Sequence, residues 1–173
     1  MSAHYGYYSK IDGHSAFLSG NVSAFADAFL CGILPKYWAL EADVFEADTS
    51  NLCERIRARL RDYLLDDSDD AICNIDTLDF DLQPMSSDLP KIFHDLLDRY
   101  KEQHVQDEVD KINQFVSEIR YQLGDIKGIY SISGTLNESI TDALSKFYTY
   151  IVFEVLFIEY DGYLVMLVFG SDE

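Results

Sequence analysis

The residues best suited to chemistry fall in a few places along the chain. His94 and Asp98 stand four residues apart, and His104 and Glu108 repeat that spacing. A histidine and a carboxylate one helical turn apart share a helix face and can begin a metal site. Two ligands are too few to hold an ion, and the separation of His94 from His104 turns them to different faces of a continuous helix. Both pairs are therefore read as solvated helix residues, and no metal or cofactor is expected. Asp66, Asp67, Asp69 and Asp70 surround Ser68. They offer hard oxygen ligands for Ca2+, but the stretch lacks the glycine and the terminal glutamate of an EF-hand loop, so it is read as an acidic loop. Glu154 interrupts an apolar run. Buried in a strand it would be a general acid or base with a perturbed pKa; near a strand end it reaches the sheet margin instead, and the margin is the reading that burial statistics favour.

The catalytic signatures are missing. There is no GxGxxG, no phosphate loop, no GxSxG and no HExxH. Arg55, Arg57, Arg59 and Arg61 alternate along one segment, but at about 100° per residue they spread around a helix. They are read as a solvated face whose charges offset nearby aspartates.

Charge carries more information than motif. Thirteen Lys and Arg stand against 31 Asp and Glu, a net charge of −18 over 173 residues. A field of that sign repels nucleic acid and anionic membranes and attracts basic proteins and cations. From Asp62 to Pro90 there are nine Asp and no Lys or Arg. Within this stretch Leu78, Phe80 and Leu82 alternate with Asp79 and Asp81, as in a strand with one apolar and one acidic face. Asp66, Asp67, Asp69, Asp70, Asp79 and Asp81 are thus the expected partner-binding residues.

The elements that must position these side chains are organised around the C-terminal end. Phe147 to Phe169 holds two runs rich in aromatic and β-branched residues, separated by Asp161-Gly162. Asp-Gly suits a type I′ hairpin turn, which needs positive φ at both central residues. Pairing Tyr160 with Tyr163 sets Ile158 against Val165, Leu156 against Leu167 and Glu154 against Phe169; Phe157/Met166 and Val155/Val168 fall on the opposite side. Both sides are apolar, so the hairpin is placed at the centre of a sheet covered on both faces.

Further strands are expected over His4–Ile11, Tyr37–Glu46 and Ile126–Ser133. In the second of these, Trp38, Leu40, Ala42 and Val44 share a face, with Glu41 and Asp43 on the other; its Ala, Leu and Glu leave a helix as the alternative reading. Helices are expected over Asn21–Leu30 with Asn21 as cap, and over Leu52–Leu65 with Asn51 and Glu54 as a capping pair. A long helical pattern runs from Asp88 to Gly124, capped by Asp88 with Pro90 in its first turn. It includes Val109 in its apolar stripe, and a polar section suggests two helices with a break near His104. Thr135 and Glu138 form a capping box for a helix through about Lys146.

The predicted fold is α+β: a single domain over residues 1–173, with a mainly antiparallel sheet of five or six strands and about four helices. With 48% hydrophobic and 14% aromatic residues, the chain can fill such a core without staples. Cys31, Cys53 and Cys73 are odd in number and fit neither a disulfide framework nor a CxxC pair, so buried free thiols are expected. No signal peptide and no membrane span is recognised, which points to the cytoplasm.

Three function classes follow. The first is an acidic, non-catalytic inhibitor of the toxin-immunity kind, as found among small acidic bacterial proteins, neutralising a basic partner such as a nuclease. The second is a DNA mimic that inhibits a DNA-binding enzyme. The third is a small enzyme or ligand-binding protein whose pocket lies beside the sheet, lined by Glu154 or the Tyr-rich N-terminal stretch.

Overall fold

The computed structural model describes residues 13–30, 32–46, 51–64, 80–100, 106–133 and 152–171. Among them four helices and five strands form an α+β fold. The expected strand His4–Ile11, the helix opening at Thr135, and Cys31 and Cys73 lie outside the described residues.

The hairpin pairs strands β4 (Val152–Glu159) and β5 (Tyr163–Ser171). Its register is the expected one, with Ile158 on Val165, Leu156 on Leu167 and Glu154 on Phe169. The amide of Tyr160 donates to the Tyr163 carbonyl at 2.9 Å. The turn itself differs. Gly162 has φ 81°, but Asp161 does not enter the positive-φ region. Positive φ at the second central position alone is the pattern of a type II turn, which needs glycine there and leaves the aspartate unstrained. The Asp161 carboxylate is held by Lys127 Nζ at 2.7 Å.

With β1 (Trp38–Glu46), β2 (Asp81–Pro84) and β3 (Gly128–Ser133), the hairpin makes an antiparallel sheet in the order β1-β5-β4-β3-β2. β4 is central, and every residue of β5 beyond Tyr163 is buried. Burial on both faces explains the lack of alternation in that run. One face presents Leu40, Val44, Ile129, Leu156, Ile158, Val165, Leu167 and Phe169 to the main core. The other carries Phe45, Phe157, Leu164, Met166 and Val168, all buried.

Three helices share the main core. These are α1 (Gly13–Leu30), α3 (Leu89–Tyr100) and α4 (Glu108–Leu123). Phe93 and Phe115 join the last two edge to face, 5.4 Å between centroids. α2 (Leu52–Leu64) reaches the second face, where Arg59 lies over the Phe45 ring. Asn51 Oδ1 caps α2 by accepting the Glu54 amide, and Asp88 Oδ1 caps α3 by accepting the Lys91 amide. The long pattern beginning at Asp88 is indeed two helices.

Four expectations are corrected. α1 starts at Gly13, so Asn21 lies inside the helix and does not cap it. Ser15, Leu18, Ser19, Val22, Ala26 and Leu30 form its buried stripe, and packing overrides the weak propensity of Gly20 and Asn21. The Ser19 hydroxyl accepts the Val44 amide at 2.8 Å and donates to the Ser15 carbonyl at 2.8 Å. It thereby satisfies an outward amide of β1, the edge strand nearest α1. β2 begins at Asp81, later than the alternation placed it, with Phe80 buried just before it. Cys53 is half-buried rather than buried. Val109 is 58% exposed, because the phase of α4 runs through Ile112, Phe115, Ile119 and Leu123 and turns Glu108 inward in its place.

Candidate functional site

Of the expected partner-binding residues, Asp66, Asp67, Asp69, Asp70 and Asp79 lie outside the described residues. Asp81 is exposed at the start of β2, opposite Ser133. No helix among the described residues is long and apolar enough to cross a membrane.

Among the described residues, Arg59, Lys91, Arg99, Arg120 and Lys127 each pair with a carboxylate of the same fold. Arg59 donates from Nε and Nη2 to the two oxygens of Asp43, at 2.8 and 2.7 Å, with both side chains under a tenth exposed. This corrects the solvated-face reading for Arg59: the second sheet face is covered, so Asp43 points into protein and needs a partner there. Arg55 caps the Glu46 carbonyl at the end of β1. Lys91 pairs with Asp95, Arg99 with Glu154, Arg120 with Asp125 and Lys127 with Asp161. Asp95, through its hydrogen bond, raises the Lys91 ammonium pKa above the usual lysine value; Lys127 in the same way holds the Asp161 carboxyl below the usual aspartate value.

Glu154 sits at the margin of the sheet. It accepts from Arg99 Nη1 at 2.9 Å and from the Tyr100 hydroxyl at 2.8 Å, and its side chain is 32% exposed. Burial, reinforced by that hydrogen bond, pushes the Tyr100 phenol above its ordinary value. Trp38 stacks on Tyr100 and Phe169 with centroids 4.3 and 4.4 Å away. This is a clamp fastening the end of α3 to β1 and β5. Two clefts among the described residues lie at α3 and α4, and Glu154 lines neither of them.

One of those clefts, of about 230 Å³, is lined by Asp88, Pro90, Lys91, His94, Val109, Ile112 and Asn113. At its edge His94 meets carboxylates from both helices. Its Nδ1 lies 3.1 Å from Asp98 Oδ2, and its Nε2 lies 3.8 Å from Glu108 Oε1. His94 and Asp98 are each 38% exposed at the side chain, while that of Glu108 is 5% exposed. One ligand atom from each of the three lies within 4.8 Å of the others. The sequence showed the His94–Asp98 pair but assigned Glu108 to His104, a residue outside the described set. A continuous helix would separate His94 from Glu108; the break between α3 and α4 brings them together. The legible signal was the polar section between the two apolar stripes.

No protein-family model, curated protein or solved structure matches this chain.

Proposed function

We propose that the protein is an acidic, non-catalytic binding protein that neutralises a basic protein partner, in the manner of an immunity protein blocking a cationic toxin such as a nuclease. The observation that carries this reading is the surplus of negative charge: −18 over the chain, while Arg59, Lys91, Arg99, Arg120 and Lys127 are each committed to a carboxylate of the same fold. Cations spent internally leave the excess carboxylates to act outward.

The mechanism is occlusion. The acidic field steers a basic partner in, and surface carboxylates then pair with the Lys and Arg by which that partner would hold its nucleic acid. Asp66, Asp67, Asp69, Asp70, Asp79 and Asp81 are the proposed contact set, with the protein working in the cytoplasm. No cofactor takes part.

The test is capture of a partner from the source organism, followed by binding of the wild type and of a variant with Asp66, Asp67, Asp69 and Asp70 changed to Asn. Capture of a basic protein whose association is slower with the variant supports the reading. Equal association rates for the two forms would refute the contact set. A captured DNA-binding enzyme held through its DNA site would make the protein a DNA mimic instead.

A further inference from the structure

We propose that His94, Asp98 and Glu108 form a binding site for one divalent transition-metal ion of the Zn2+ class, bridging α3 to α4. Three features of the cluster support it. The ligand types are the first: one imidazole and two carboxylates make a mixed nitrogen and oxygen set, which suits Zn2+ and its neighbours better than Ca2+ or Mg2+, whose sites are built from oxygen. Geometry is the second. His94 and Asp98 are one turn apart on α3, Glu108 opens α4, and one ligand atom from each lies within 4.8 Å of the others. Small side-chain rotations bring such atoms to the roughly 2.0–2.2 Å of a metal bond.

The third feature is the orientation of Glu108. The phase that buries Ile112, Phe115 and Ile119 also turns Glu108 inward and leaves the adjacent Val109 58% exposed. An apolar residue was at hand one position away, yet the inward place at the first turn of α4 holds a carboxylate. That places the Glu108 carboxylate on the side of α4 that faces His94 of α3. His94 Nε2, at 3.8 Å, is beyond hydrogen-bonding distance. An ion between them would replace that long contact with two bonds.

Access and field favour the same site. His94 lines the cleft between the two helices, so an ion reaches it from solvent. A net charge of −18 raises the local concentration of cations. Three protein ligands leave at least one coordination position for water, as in open zinc sites. The site shares no residue with the proposed contact set.

The experiment is calorimetric titration of chelator-stripped full-length protein with Zn2+, repeated with His94→Gln and Asp98→Asn. Co2+ replaces Zn2+ in a parallel optical titration. The wild type is expected to bind one equivalent of Zn2+ and to develop visible Co2+ bands, with each variant weakening binding by about tenfold or more. Excess Ca2+ or Mg2+ is expected to leave the Zn2+ isotherm unchanged. Both replaced side chains are more than a third exposed, so the variants should keep the metal-free fold, checked by circular dichroism; if one fails to fold, the other carries the comparison. Absence of stoichiometric binding, binding untouched by the variants, or equal competition by Ca2+ would each overturn the site.

Discussion

Asp43 with Arg59, and Glu108 with His94 and Asp98, are both charged groups drawn from two elements, but they are finished to different degrees. Arg59 and Asp43 make two parallel bonds of 2.8 and 2.7 Å inside protein. That fork matches donor to acceptor. Around His94 one carboxylate is buried and the other is open to solvent, and the contacts are 3.1 and 3.8 Å. A closed pair completes a fold. An open one borders a cleft that solvent reaches, and charge clusters differ by that setting rather than by composition.

The largest expected effect is at the closed pair. Arg59→Ala removes the two-bond fork at buried Asp43 and should cost about 3–5 kcal/mol in urea unfolding. Replacing both, as Asp43→Leu with Arg59→Met, should recover most of the loss, because apolar residues of similar size need no desolvation. A single-variant cost under about 1 kcal/mol, the value for exposed pairs, would break the contrast. Next comes Glu108→Gln in metal-free protein, which keeps the size and hydrogen-bonding shape of the side chain and should cost less than Arg59→Ala. A loss as large as that of Arg59→Ala would make the two sites the same kind of structural ion pair.

Tyr160 supplies the uncharged limit. Its hydroxyl is buried and has no hydrogen-bond partner among the described residues. Tyr160→Phe should therefore change stability by no more than about 0.5 kcal/mol, with a gain the expected direction. Its pH signature is clearer. Burial pushes the Tyr160 phenol well above its ordinary value, and does the same to a lesser degree at Tyr130 and Tyr100. Above about pH 10 the unfolded chain has lost those protons while the folded protein keeps them, so stability falls as pH rises through that point. Alkaline unfolding of Tyr160→Phe should move to higher pH; an unmoved midpoint would mean the hydroxyl titrates as if exposed.

The smallest effect is at Asp161, which is 86% exposed and paired with Lys127. Its lowered pKa contributes stability that is present above the unfolded aspartate value of about 3.9 and lost as pH falls through the folded one. Asp161→Asn should leave the neutral-pH midpoint unchanged and alter only the acid limb.

What the sequence revealed follows the range of each signal. The register of β4 and β5 was legible because a period of two and a short turn fix it locally. The turn type was not, since Asp-Gly fits both I′ and II and only the backbone distinguishes them. The start of α1 was hidden because its buried stripe relies on Ser15, Ser19 and Ala26, small residues that hydrophobic periodicity passes over. Asp43 looked outward because one apolar face implied a wet opposite face, and α2 covers that face instead. The cluster at His94 needed knowledge of where a helix breaks, which resets the phase of everything after it.

The central claim is that the unspent carboxylates act as a steering field for a basic partner. Its most direct test is the association rate of the captured partner measured by stopped flow from low to high salt. Steering is screened over about 8–10 Å at physiological ionic strength, so the account predicts a rate that falls steeply with salt while dissociation changes little. An association rate that stays flat across the same range would contradict it.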